Sequence, residues 1–153
     1  MKVVYINPFL TAASYVFQQF QLPCQFGNPH IKSSPFSGKD LLTVVGITGE
    51  VRGQVYLGVP MSSAIQIASV MMGGIPLSTL DSLVQSAISE LSNMICGNAL
   101  TLLSKEGISL DITPPSVILG KQIEVSAMKM RVLSIPMIVT GIEELEMNIV
   151  FED

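Results

Sequence analysis

The chain has 153 residues, 48% of them hydrophobic and 13% charged, whereas a typical soluble domain carries roughly 25% charged residues. That length suits a single domain, residues 1–153, with a real core, and the chain is too apolar at a formal net charge of −4 to stay disordered. With 8 Lys and Arg against 12 Asp and Glu, counterion release has no obvious source, so no nucleic-acid partner is expected.

In chain order, Asn7 is a good N-cap and Pro8 suits a first helical position, which predicts a helix from Pro8 to about Gln21. The Pro23–Pro35 region reads as loop with a short strand around His30–Ser33. Leu41–Thr48 and Gln54–Val59 are β-branched runs joined by Gly49-Glu50-Val51-Arg52-Gly53, the pattern of a hairpin. Ser62 or Ser63 then caps a short helix through Met72, ended by Gly73-Gly74. Ser78-Thr79-Leu80-Asp81 has the spacing of a capping box, and the helical pattern behind it runs to about Lys105 and stops at Gly107. Three strands follow: Ser116–Val125 with a turn near Gly120, Met130–Thr140, and Glu144–Phe151. In the last, Leu145, Met147, Ile149 and Phe151 alternate with Glu144, Glu146 and Asn148. Pro136 marks its strand as an edge or bulged one. The fold class is therefore α+β, a mostly antiparallel sheet of about six strands packed with long helices. Each half begins with a helix and continues into strands, which hints at internal duplication.

Two stretches, Val3–Ile31 and Gly53–Leu80, lack Asp, Glu, Lys and Arg. Neither offers the roughly 20 apolar residues of a spanning helix, because Asn7-Pro8, Gln18-Gln19 and Pro23 break the first, and Pro60, Gln66 and Gly73-Gly74 the second. Asn7-Pro8 also interrupts the apolar run of a would-be secretory leader, so no membrane association is expected and the cytoplasm is the expected location. Cys24 and Cys96 are the only thiols and His30 the only histidine. Such a set makes neither a zinc site nor a Ser-His-Asp triad. His30 reads as a loop or strand-edge residue, and the methionine-rich segments Met71-Met72 and Met128–Met130 as gap filler. No phosphate-binding glycine motif is present.

The long helix carries the informative pattern. Val84, Ile88, Leu91, Ile95, Ala99 and Leu102 form one apolar stripe at about 100° per residue. Ser86, Glu90, Asn93 and Gly97 lie together on the opposite side, continued by Thr101 and Ser104. Glu90 is the only charged residue between Asp81 and Lys105. It projects beside Asn93 at i, i+3 spacing. An ordinary amphipathic helix also has a solvated face, and a Glu and an Asn on it usually do nothing. Mid-helix Gly97 costs about 1 kcal/mol relative to Ala, which asks for a packing or approach reason.

Ser86-x-x-x-Glu90-x-x-Asn93, followed by Pro115 about twenty positions on, resembles the signature of the CheC/CheX/FliY family of chemotaxis phosphatases. The run Glu90-Leu91-Ser92-Asn93-Met94-Ile95-Cys96-Gly97-Asn98-Ala99 is close to that family's Glu-Leu-x-Asn-Met-Ile-x-Gly-Asn-Ala. Tyr5-Ile6-Asn7-Pro8-Phe9 and the Gly49–Gly53 turn also resemble its CheX branch, as does a single motif helix rather than two. The resemblance implies hydrolysis of the aspartyl phosphate of a phosphorylated CheY-type response regulator. It implies catalytic roles for Asn93, orienting the attacking water, and for Glu90, pairing with the receiver's lysine. Ser86 and Gly97 would add contact surface, and Pro115 would shape the fold. Mg²⁺ would come from the receiver, with no cofactor of the chain's own. Relatives commonly pair through sheet edges, so a homodimer is expected. The fold also serves non-catalytic receiver-binding or flagellar-switch-like modules, and a purely structural or dimerisation domain is a further alternative.

Overall fold

The computed structural model describes residues 3–33, 36–127 and 130–152. The first helix, α1 (Val3–Gln19), runs through Pro8 rather than starting at it. Packing overrides the local signal: Ile6 is buried and Tyr5 lies 5.6 Å, centroid to centroid, from Phe151. Proline at this position deprives only the Val4 carbonyl of its helical donor, in a first turn open to solvent. The expected loop after α1 holds two short strands, β1 (Cys24–Phe26) and β2 (His30–Lys32), and then β3 (Phe36–Ser37). The expected hairpin is formed by β4 (Leu41–Gly49) and β5 (Gly53–Val59), paired antiparallel from Leu41↔Val59 to Ile47↔Gly53. Gly49 has φ +119, a conformation that disfavours any side chain at the start of this turn.

Neither Ser62 nor Ser63 caps α2 (Met61–Met71), whose N-cap is Pro60. The free Met61 N–H instead donates to Asp40 Oδ2 at 2.8 Å, placing a carboxylate at the positive end of the helix. The two serines reach Glu143, Ser62 to its carboxylate and Ser63 to its carbonyl. The long helix α3 (Ser82–Lys105) begins at Asp81, which accepts from Val84 N at 3.0 Å, so the cap lies three residues beyond the expected Ser78. It stops before Gly107, at φ +79.

Behind α3 come β6 (Leu110–Ile112), which the sequence pattern did not reveal, and β7 (Ser116–Leu119). Next are β8 (Glu124–Val125), β9 (Arg131–Val139) and β10 (Leu145–Phe151). The predicted Ser116–Val125 strand is thus two strands in different sheets, because β8 pairs with β3 in a separate ribbon. Across the main sheet the order is β1-β9-β10-β5-β4-β6, six positions wide, with β2 on β9 and β7 on β4. The helices and one sheet face enclose the main core of Phe9, Phe17, Ile88, Leu91, Ile95, Leu103 and their neighbours. A smaller apolar cluster on the other face brings Phe36 of the ribbon against Leu42, Tyr56, Val132 and Val150.

The two halves repeat one another element for element. α1, β1, β2, β3, β4 and β5 are followed, after α2, by α3, β6, β7, β8, β9 and β10, and the long strands match at nine residues for β4 and β9 and seven for β5 and β10. The halves exchange their edges: β1 and β2 lie on β9, while β6 and β7 lie on β4. Each edge contains one surplus residue. Residues 27–29 face two residues of β9 between Phe26↔Met137 and His30↔Ser134. Residues 113–115 face Val45 and Gly46 between Ile112↔Ile47 and Ser116↔Val44. Pro136 is therefore inside the sheet, not at its edge. Its carbonyl accepts from Gly27 N at 2.9 Å. Its ring nitrogen, on the same side, faces the interruption between β1 and β2, where no ladder bond is lost.

Candidate functional site

The second of these edge irregularities builds the site. Thr113 N donates to Gly46 O at 2.9 Å and Gly46 N donates to Thr113 Oγ1 at 2.8 Å, pinning the arch Thr113-Pro114-Pro115 to β4. Two prolines suit the arch, since the surplus residue takes no part in the ladder. The arch and α3 enclose an open cleft of ≈ 380 Å³ lined by Ser89, Glu90, Asn93, Ile112, Thr113, Pro114 and Pro115.

α3 presents the acid and the amide there because its other face is committed to the core. Val84, Ile88, Leu91, Ile95 and Ala99 are buried as the stripe requires, with Leu102 half-buried and Leu103 buried. Next to Asn93, Ser92 is buried and accepts from Thr43 Oγ1 at 2.9 Å, tying the helix to β4. Glu90 is exposed and Asn93 half-buried. Ser86 is exposed and Gly97 half-buried on the same helix, but neither lines the cleft. Thus Glu90, Asn93 and Pro115 come together, while Ser86 and Gly97 lie outside them. Ser89, Ile112, Thr113 and Pro114 join the cleft unannounced.

The chemistry on offer is narrow. Glu90 is the one charged group in the lining, and Asn93 both donates and accepts hydrogen bonds without being a useful base. Neither thiol supplies a nucleophile. Burial pushes Cys96 up to about 12 and Cys24 up to about 11, the latter offset in part by a hydrogen bond from the Ile138 backbone, so both are protonated at neutral pH. His30 is exposed on β2, with Nδ1 3.3 Å from Asn28 O. Among the described residues no three His, Cys, Asp or Glu side chains gather as a metal site, and no helix is long and apolar enough to cross a membrane. An open cleft with one carboxylate and one carboxamide suits the positioning of a small polar molecule against a group that a partner brings.

Comparison with known proteins finds relatives of the sequence and of the fold. Residues 41–141 match the family model described as chemotaxis phosphatase CheX. The chain is 33% identical over 123 residues to the CheY-P phosphatase CheX of Thermotoga maritima, covering 80% of this chain and 79% of that one. Among solved structures, a CheC-like superfamily protein from Shewanella sp. PV-4 superposes with a TM-score of 0.90 at 25% identity, over 100% of both chains. The Borrelia burgdorferi CheX-CheY-BeF3-Mg²⁺ complex matches with a TM-score of 0.84 at 29% identity, covering 97% of this chain and 98% of that one. The chain belongs to the CheX family of chemotaxis phosphatases.

Proposed function

We infer that this chain hydrolyses the acyl phosphate of a phosphorylated CheY-type response regulator, acting in the cytoplasm as a single CheX-like domain over residues 1–153. The observation that carries the reading is the placement of Glu90 and Asn93 side by side in an open surface cleft. Hydrolysis needs water in line behind phosphorus, and it turns the aspartyl phosphate and water into aspartate and dihydrogen phosphate. The receiver brings the phosphoryl group, a lysine and Mg²⁺, which neutralise charge, so positioning is what remains for this chain to provide. The Asn93 carboxamide accepts a hydrogen bond from the water and holds its oxygen toward phosphorus. The Glu90 carboxylate pairs with the receiver's lysine, seating α3 and setting Asn93 in register. Ser86 and Gly97 extend the contact surface along the same helix, and Pro115 supports the cleft floor. The chain works as a homodimer through a sheet edge.

Phosphate release from a phosphorylated receiver, with and without the protein, tests the reading. Asn93→Ala is expected to remove acceleration by about 100-fold or more while leaving receiver binding intact, because misplacing a reacting water costs about that much. Glu90→Ala is expected to weaken binding and release by about tenfold or more, given about 1.5–3 kcal/mol for a charged hydrogen bond, and Glu90→Lys to weaken both further. Binding of the receiver with unchanged release at saturating wild-type protein refutes the phosphatase and leaves a receiver-binding module. Absence of any receiver affinity removes both.

A further inference from the structure

The arch beside α3 holds an acceptor that the fold leaves unused. Residues directly opposite in an antiparallel ladder exchange two bonds, each N–H going to the other's carbonyl. Thr113 N keeps its half of that exchange, donating to Gly46 O at 2.9 Å, but Gly46 N donates in return to Thr113 Oγ1 at 2.8 Å. The side chain has taken the place of the main-chain carbonyl. No N–H or O–H among the described residues donates to Thr113 O. Pro114 and Pro115 have no N–H to offer it, so no local turn claims it either. Pro114 also restricts Thr113, the residue before it, to extended conformations, which holds the carbonyl in one direction. The side chain, meanwhile, faces away from α3. A Cβ at Gly46 would meet Thr113 Cγ2 at 3.1 Å and Oγ1 at 3.2 Å. Gly46 alternates with Val45 and Ile47, which face the main core beneath the helices, so the Thr113 side chain lies on the other side of the sheet. What Thr113 presents to the cleft beside Glu90 and Asn93 is its main chain.

We propose that the Thr113 main-chain carbonyl is a second acceptor for the attacking water, with the Asn93 carboxamide the first; the proposal rests on the function inferred above. A water that gives one hydrogen to Asn93 still turns about that bond, and its lone pair swings past phosphorus. An acceptor across the cleft takes the other hydrogen and holds the lone pair in line. A carbonyl suits this task, because it accepts without donating and brings no charge to desolvate when the receiver closes the cleft. Ser89, the other hydroxyl-bearing residue of the lining, sits on α3 one turn before Asn93, on the same wall rather than across from it. In the reaction the water's oxygen bonds to phosphorus. The bond from phosphorus to the aspartyl oxygen breaks, its electron pair leaves with the carboxylate, and both of the water's protons remain on dihydrogen phosphate.

Thr113→Val tests this with phosphorylated receiver, because valine has the shape of threonine without its oxygen and leaves Gly46 N only the main-chain carbonyl to bond. The expected result is a kcat for phosphate release lowered about tenfold or more at unchanged KM, since the loss falls on orienting the water and not on binding the receiver. Thr113→Ser keeps the hydroxyl oxygen and is expected to recover most of that loss. Amide hydrogen exchange at Gly46 is expected to stay slow in Thr113→Val, which shows the arch still paired with β4. Release from Thr113→Val at the wild-type rate overturns the proposal. A loss that Thr113→Ser shares in full overturns it too, as does a raised KM at unchanged kcat, or fast exchange at Gly46 accompanying the loss. If wild-type protein fails to accelerate release, the function inferred above fails instead, so the two failures are distinguishable.

Discussion

At the scale of single residues, Gly97 separates what the fold needs from what a partner needs. A Cβ built at Gly97 meets nothing within 4 Å outside the helix's own backbone, so no internal close approach requires glycine there. Gly97→Ala is therefore expected to stabilise the protein by about 1 kcal/mol, the usual cost of a mid-helix glycine. That corresponds to about 2–4 °C in a thermal unfolding scan. Gly97→Trp is expected to leave unfolding nearly unchanged yet weaken receiver binding at least tenfold, because the indole occupies space beside Glu90 and Asn93 on the docking face. A tryptophan variant that binds as wild type shows that the partner does not reach Gly97. That Glu90 and Asn93 project outward was legible in the sequence for a related reason, whereas the roles proposed for them come from the family resemblance alone. An isolated carboxylate beside a carboxamide, opposite a continuous apolar stripe, projects from the helix whatever surrounds it. Thr113 was not legible, because its place in the cleft comes from a one-residue surplus in pairing with β4, a register that local sequence does not encode.

At the scale of elements, the cleft depends on how α3 is fixed to β4. Ser92, immediately before Asn93, is joined to Thr43 by a buried hydrogen bond. Removing one partner leaves a buried polar atom unsatisfied, at about 1–3 kcal/mol, whereas replacing both with apolar groups is nearly neutral. The repeat supplies a natural comparison, since Ile6 and Leu133 occupy the corresponding places in the other half and line one cleft. Ser92→Ala alone is thus expected to lower stability by about 1–3 kcal/mol in urea unfolding, and Thr43→Val with Ser92→Ala to recover most of that loss. A double variant no better than the single one shows that the pair matters for packing rather than for satisfying its hydroxyls. Local rules read the central hairpin and most of α3 correctly, because turn glycines and a long apolar stripe act over neighbouring residues. They misplaced the start of α1, where buried Ile6 and the Tyr5–Phe151 contact outweigh a proline signal. They also assigned Ser62 or Ser63 to capping α2, although both hydroxyls go to distant Glu143 and the Met61 N–H at the helix start goes to Asp40.

At the scale of the whole molecule, the hint of duplication is realised as two interlocked halves, and their exchange of edge strands was invisible in sequence because pairs such as β1 with β9 join residues more than a hundred positions apart. This exchange decides which edge is open to a second chain. Pro136 does not mark one, since β9 is flanked by β10 on one side and by β1 and β2 on the other. Of the outer segments, β2 carries Lys32 and β6 carries Asp111, whereas β1 and β7 have neither charge nor proline; β1 is three residues long with the polar Gln25 at its centre, and β7, Ser116-Val117-Ile118-Leu119, is the longer and more apolar. Ile118 and Leu119 are 42% and 44% exposed, and the strand's outer backbone groups face away from β4. An unprotected apolar edge of this kind pairs with another unless a charge blocks it. The homodimer is accordingly expected to form across β7. Wild-type protein should sediment as a dimer at micromolar concentration, and Ile118→Lys as a monomer with unchanged circular dichroism, while Ile31→Lys on the opposite edge stays dimeric. If Ile31→Lys separates the chains and Ile118→Lys does not, the edge formed by β1 and β2 is the interface; a wild-type monomer rules out edge pairing altogether.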